Sequence, residues 1–398
     1  MIPGQPRVAS VPWWLAGVFA MAALGTFAMG LWLTWAANND VDMQARMAEY
    51  AAFRVGDYPN RNLDVPMHNR ALLWSVYPPY AFPMFAVFFE PGGLRQGRLL
   101  ILVCTIASVW LMGLYGRERL KPFGPAWAAV GALAGAGISS NGTTIGWGQF
   151  STMCTGMLVL QLILIERGRF TAAGVAWAGA MIKPQIALAS AALFLAHRMG
   201  RGLVVGITLL AALSAAAIWW TDISFRAVAE HWLFRVPLTF ALSSKAIGPA
   251  HVAAWLGWNQ RVMQYAALGM LALIAVTVFR RLPRDLSRLD LLPWAALCAV
   301  LGRVLIYHRH YDDVMLFPLL LACLSLGLTT PTAANVAMAV SVGVTLVVPM
   351  RVLSWMPFAE VILPTIWVIA ALWVCREALA RARRQVGDAG RAHPGAAC

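Results

Sequence analysis

Charge is what this sequence has least of. Asp, Glu, Lys and Arg make up 12% of its 398 residues, whereas 60% are hydrophobic and the mean hydropathy is +0.67. Soluble domains carry about a quarter charged residues. A chain this poor in charge cannot cover itself with a hydrated surface, which excludes a soluble enzyme and a disordered regulator alike. Lysine is nearly absent: Lys121, Lys183 and Lys245 are all there is, and such an arginine bias is that of a GC-rich bacterial genome. Cysteine is sparse and lies mostly inside apolar runs with no CxxC pair, which leaves neither a disulfide framework nor a metal knuckle. No glycine-rich phosphate loop follows a strand pattern, so no soluble nucleotide-binding domain is visible. Internal repeats and low-complexity linkers are missing as well.

What is there is a series of apolar runs. A spanning helix needs about 20 apolar residues. Candidates are 11–37, 99–115, 125–140, 150–165, 203–220, 252–279, 291–307, 314–328, 333–350 and 358–375. The stretch 172–197 is interrupted by Lys183-Pro184. Proline breaks a helix, so that stretch reads as two short crossings, 172–182 and 185–196. The first run is too long for a signal-peptide core and lacks a cleavage site, so it is expected to stay as an anchor. These features predict an all-α polytopic membrane protein with about 10–12 transmembrane helices.

The net charge of +14 does not point to nucleic acid, because the basic residues cluster between apolar runs as the positive-inside rule predicts. The clusters are Arg117/Arg119/Lys121, Arg167/Arg169, Arg198/Arg201, Arg280/Arg281/Arg284/Arg288 and the tail 376–391. All fall on one side if the short, proline-opened piece 77–89 lies in the outer interface instead of crossing. The expected location is then a bacterial inner membrane, with a cytoplasmic amino terminus and a basic cytoplasmic tail at 376–398. Residues 38–98 form one long outer segment carrying juxtamembrane helices. That segment holds Asp40, Asp42, Glu49, Asp57, Asp64 and Glu90, six of the seventeen acidic residues. A second outer loop, 221–251, is expected to be partly helical.

Several polar groups gather on this outer face. In a helix starting near residue 40, Asp42, Arg46 and Glu49 share one face, while Met43, Met47, Tyr50 and Ala51 form an apolar side suited to resting on lipid. Tyr77-Pro78-Pro79 opens the interfacial piece, and Gly148-Gln149 ends the loop SSNGTTIGWGQ. Lys183 marks the hinge, and Tyr307-His308-Arg309-His310-Tyr311-Asp312-Asp313 fills a short turn. Ionisable groups at membrane depth are costly and are functional candidates by default. Plainer readings stand beside this one: a solvated face for the α-helical trio, snorkelling for Lys183, and loop punctuation for the prolines and glycine. A metal at the His/Asp turn is disfavoured, because no HxxxH or HExxH spacing occurs.

In order, these pieces resemble a known family. The pattern D-x3-R-x2-E-x6-G-x2-P is met by Asp42, Arg46, Glu49, Gly56 and Pro59, followed by Tyr77-Pro78-Pro79, Gly148-Gln149, Ala173-Gly174 with Lys183-Pro184, and the Tyr307 to Asp312 run. This is similar to the membrane-embedded GT-C glycosyltransferases, specifically the polyprenyl-phosphate-mannose-dependent mannosyltransferases of glycosyltransferase family 87. The first loop also carries Asp40; the spacing to Gly56 favours Asp42. The resemblance implies a single glycosyltransferase domain over 1–375, with 38–98 as its catalytic loop. It implies transfer of a hexose, mannose by association, from a polyprenyl-phosphate sugar to a glycolipid or polysaccharide acceptor, with inversion and without cofactor or metal. It further implies Asp42 as general base, Lys183, His308 and Arg309 as holders of the donor phosphate, and Arg46, Glu49, Tyr77, Gln149, Tyr311 and Asp312 as positioning groups. The competing expectation is a secondary transporter or lipid flippase, because transporters also build sites from broken helices.

Overall fold

The computed structural model describes residues 13–35, 41–59, 75–196, 200–235, 249, 252–253, 256–279, 290–306, 308–356 and 358–391. Asp40, Asp64, Arg198, Tyr307, the Arg280 to Arg288 cluster and residues 236–248, 250 and 251 of the 221–251 loop lie outside them. The described residues are helical and contain no strand, as expected for an all-α polytopic membrane protein. The helices are α1 (Trp14–Trp35), α2 (Val41–Arg54), α3 (Ala81–Phe89), α4 (Gly93–Leu120), α5 (Pro125–Ala134), α6 (Ser140–Trp147), α7 (Ser151–Glu166), α8 (Phe170–Ala180), α9 (Pro184–Ala187), α10 (Ala192–Ala196), α11 (Gly200–Trp220), α12 (Phe225–Glu230), α13 (Gln260–Phe279), α14 (Leu292–Leu305), α15 (Phe317–Thr329), α16 (Ala333–Val347), α17 (Met350–Leu353) and α18 (Ala359–Arg391). A 3-10 turn, His310–Leu316, leads directly into α15.

Among the described residues, six helical stretches are long and apolar enough to cross a bilayer, or seven if α6 and α7, bent by 118° at their break, count as one span. This is fewer than the sequence suggests. Several expected crossings are short helices instead: α5, α8, α14 and α16 have 10, 11, 14 and 15 residues. At 1.5 Å per residue such helices reach roughly 15–22 Å, short of a hydrocarbon core of about 30 Å. The reason is visible in the breaks. Gly148 caps α6 in the left-handed conformation (φ +66°), which ends the helix in what the sequence shows as a loop, SSNGTTIGWGQ. Lys183 takes an extended conformation (φ −125°, ψ 83°) ahead of Pro184, as the residue before proline is driven to do. The third break follows α14, where Ile306 is extended. Irregular backbone at membrane depth is tolerated where protein buries it, and all three breaks are buried.

Packing follows small residues. A Cβ placed on Gly174 would lie 2.0 Å from the Gly202 carbonyl oxygen, and one on Gly116 would lie 2.2 Å from that of Gly131. The backbones of α8 and α11, and of α4 and α5, therefore touch, as membrane helices do when glycine permits it. The large apolar side chains left outward, such as Leu99, Val103, Trp110, Val204 and Leu273, belong to lipid. Exposed Trp32, Trp35, Trp219 and Trp220 at the ends of α1 and α11 form part of an aromatic belt.

The outer helix α2 forms where expected but does not rest its apolar side on lipid. Met43 and Tyr50 are buried, Met43 against Gly97 and Gly148 and Tyr50 against Phe89. Tyr50 and Arg54 both reach Glu90, just past α3, and the Trp220 indole donates to the Phe53 carbonyl at 2.8 Å. The helix α2 is thus held between α3, α4 and the end of α11.

Gly174→Ala is expected to cost about 3 kcal/mol, since two backbones cannot yield to a new methyl group. Gly269→Ala, where nothing lies within 4 Å, should leave stability within about 1 kcal/mol of the parent. Unfolding midpoints in detergent measure both.

Candidate active site

The three helix breaks and the first turn of α2 deliver their polar side chains to one place. Lys183, 1% exposed, donates from Nζ to Gln149 Oε1 at 2.9 Å, Ser151 Oγ at 2.7 Å and Asp312 Oδ1 at 2.5 Å, with the Tyr311 ring centroid 4.4 Å away. An ammonium has three donors, and all three are used. The Gln149 amide donates in turn to Asp42 Oδ2. An amide set between a cation and a carboxylate has one favourable orientation, carbonyl toward lysine and NH2 toward aspartate, and Gln149 adopts it. Ser151 Oγ donates to Asp312 Oδ1 at 2.7 Å. A continuous polar chain therefore runs from Asp42 through Gln149 and Lys183 to Asp312.

His308 continues it. Its Nδ1 lies 3.2 Å from Asp312 Oδ2 and its Nε2 lies 3.1 Å from the Gly302 carbonyl oxygen. His308 has no exposed surface, and both of its ring nitrogens lie against acceptors within the protein. Arg309 is only partly buried, and its backbone N–H donates to Asp312 Oδ2 at 3.4 Å. Both polar ends of the Gln149 amide are thus occupied within the protein, one by Asp42 and one by Lys183.

Beside this chain, Arg46 Nη2 lies 3.1 Å from Glu49 Oε1, and the Arg46 guanidinium sits 4.5 Å from the Tyr77 ring centroid. Burial pushes the Glu49 carboxyl above its ordinary range, against the pull of Arg46 and a hydrogen bond from Ser75. Arg46 Nε and Glu49 Oε2 are buried without a hydrogen-bond partner among the described residues. An aromatic wall closes one side: Phe150, next to Gln149, stacks on Phe85 at 5.7 Å, and Tyr77 meets Phe85 edge-on at 5.1 Å.

Ser151 carries no signal in the sequence beyond following Gly-Gln-Phe, and Arg303, whose Nε donates to Asp313 Oδ1 at 2.6 Å, reads there as one basic residue in an apolar run. Among the described residues, no three His, Cys, Asp or Glu side chains are grouped to hold a metal ion.

The opposite end of α7 bears a second polar cluster. Arg119 pairs with Glu166 and, at 3.0 Å, with Asp290, while Tyr115 donates to Glu166. Ser151 and Glu166 bound α7, so roughly 22 Å separate the two clusters along its axis. Arg117, Arg167, Arg169 and Arg201 are exposed at this second end.

The family model for glycosyltransferase family 87 matches residues 75–308, more than half of the chain and spanning Tyr77, Gln149, Lys183 and His308. The chain belongs to glycosyltransferase family 87. It is therefore a glycosyltransferase of the GT-C type, a membrane enzyme that joins a sugar donor to an acceptor. No curated protein sequence and no solved structure matches the chain. In this family 87 enzyme the buried ammonium sets a stability constraint. Lys183→Met should cost about 3–5 kcal/mol, because it leaves the buried Asp312 carboxylate without its ammonium. Adding Asp312→Leu should recover most of that loss, as read from detergent unfolding midpoints.

Proposed function

We propose that this glycosyltransferase takes a hexose, mannose by family association, from a polyprenyl monophosphate within the outer leaflet of a bacterial inner membrane. It passes that sugar to a hydroxyl of a glycolipid or polysaccharide with inversion. The observation that carries this reading is the union of a partly buried Asp42 with buried Lys183 and Asp312 in one hydrogen-bonded chain. These residues come from the first loop, the Lys-Pro break and the late turn.

Asp42 is the general base. Its carboxylate takes the acceptor hydroxyl proton while that oxygen bonds to the anomeric carbon. The bond from the anomeric carbon to the phosphate oxygen breaks at the same time, and its electron pair leaves on the lipid phosphate. Lys183 supplies fixed positive charge where water is scarce and such charge acts most strongly. Arg309, partly buried at the start of the same turn, adds a second positive charge for the phosphate. Gln149, held by Lys183, keeps Asp42 aimed. Arg46 and Glu49, with Nε and Oε2 unmatched, suit sugar or acceptor hydroxyls, and Tyr77 and Tyr311 offer faces for a sugar ring.

The orientation follows from charge. Exposed Arg117, Arg167, Arg169 and Arg201 lie at the end of α7 away from Asp42, so a cytoplasmic location for them puts the site on the outer side, with the amino terminus and the basic tail inside. The whole of 1–375 then acts as one catalytic domain. Three broken helices would also suit a transporter, but here the polar chain lies at one end of α7 and not midway along it, and the family is one of sugar transferases.

Asp42→Asn keeps the hydrogen bond from Gln149 and removes the base. Transfer from a labelled polyprenyl-phosphate sugar in isolated membranes is expected to fall by roughly 10²–10⁴. Parental transfer by the variant would falsify the assignment.

A further inference from the structure

Behind the polar chain lies a second buried ion pair. Asp312 and Asp313 are consecutive in the 3-10 turn, and each finds a cation: Asp312 meets Lys183, and Asp313 meets Arg303 on the last turn of α14. Arg303 has no exposed surface and Asp313 is 7% exposed. The Arg303 guanidinium lies 5.4 Å from the Trp367 ring centroid, and the Trp367 indole is itself pinned by donating to Thr345 Oγ1 at 2.9 Å. The contact is one-pointed. Nε reaches Asp313 at 2.6 Å, whereas Nη1 and Nη2 have no partner among the described residues.

A pair selected for stability would use the guanidinium fork against both carboxylate oxygens. A buried pair with unmatched donors is no more stable than apolar side chains of the same volume. What it does supply is direction. With three residues per turn, neighbouring side chains in a 3-10 helix point about 120° apart. Drawing Asp313 back onto α14 therefore turns Asp312 toward Lys183. The preceding residue, Gly302, holds the other end of the segment through its carbonyl, 3.1 Å from His308 Nε2. Residues 302 and 303 thus grip both ends of the 308–313 segment from one helix terminus.

We propose that Arg303 and Asp313 are positioning residues, which set the direction of Asp312 and through it the Lys183–Gln149–Asp42 chain; the proposal rests on that chain being the reaction centre. The pair acts through other groups and touches no reacting atom. Its loss should therefore appear in turnover and not in donor binding.

The test replaces the pair with apolar residues, Arg303→Met together with Asp313→Leu, in full-length protein in membranes. The double variant should insert and unfold at the parental temperature. Its kcat should fall about 10²-fold, the scale of a misplaced reacting group, with donor KM within about twofold of the parent. Arg303→Lys, which keeps a cation opposite Asp313 without the planar fork, should recover part of that loss, to about tenfold below the parent. Parental kcat in the double variant, or a rise in donor KM that accounts for the whole effect, overturns the proposal. So does an Arg303→Lys variant as slow as the double variant.

A second measurement needs no substrate and covers a double variant that fails to accumulate. Unfolding temperatures are compared for Lys183→Met, Arg303→Lys and their combination. Shifts that fail to add show that the two pairs are coupled, and strictly additive shifts overturn the coupling. If the wild-type chain moves no sugar from a polyprenyl phosphate, the donor assignment fails, and this cycle still decides the positioning claim.

Discussion

A lysine side chain with 1% of its surface exposed is costly to bury unless each of its donors is matched, and all three donors of Lys183 are matched. That one requirement organises the enzyme. The three partners come from two elements, the α6–α7 break for Gln149 and Ser151 and the late 3-10 turn for Asp312. Each element must therefore end or bend at the depth of Lys183. The broken helices, the glycine at Gly148 with φ +66° and the extended backbone at Lys183 all serve this meeting. Stability and site geometry are the same problem here, because the ion pair that is expensive to bury is also the one that fixes Asp42 through Gln149.

Much of this is legible in the amino-acid sequence. The Lys-Pro step predicts a break and the break exists. The spacing of Asp42, Arg46 and Glu49 predicts a shared helical face, and α2 provides it, with the Arg46–Glu49 pair at 3.1 Å. What could not be read was depth. Hydropathy marks a run as apolar but does not say whether it crosses the bilayer or stops halfway against protein, so α5, α8, α14 and α16 looked like spans. The same blindness put Met43 and Tyr50 on lipid when they are packed on glycines and Phe89.

Pairing was harder still to foresee. In the turn after α14, sequence shows two histidines, an arginine and two aspartates side by side, with nothing to say which carboxylate faces which cation. The fold separates them. Asp312 turns to the site with His308 behind it, and Asp313 turns to Arg303. Histidine and arginine at adjacent positions thus have different surroundings, His308 fully buried against Asp312 and Gly302 and Arg309 partly exposed. Ser151 illustrates the opposite case: a residue without any sequence signal becomes a ligand of the ammonium because a helix happens to start there.

The direct measurement is a structure of the protein in a lipid nanodisc with a polyprenyl-phosphate sugar bound. The account predicts the sugar next to the Asp42 carboxylate, between α2 and the Lys183–Asp312 pair, with the lipid phosphate on the Lys183 side. A donor seated instead at the far end of α7, beside Arg119 and Asp290, would contradict it.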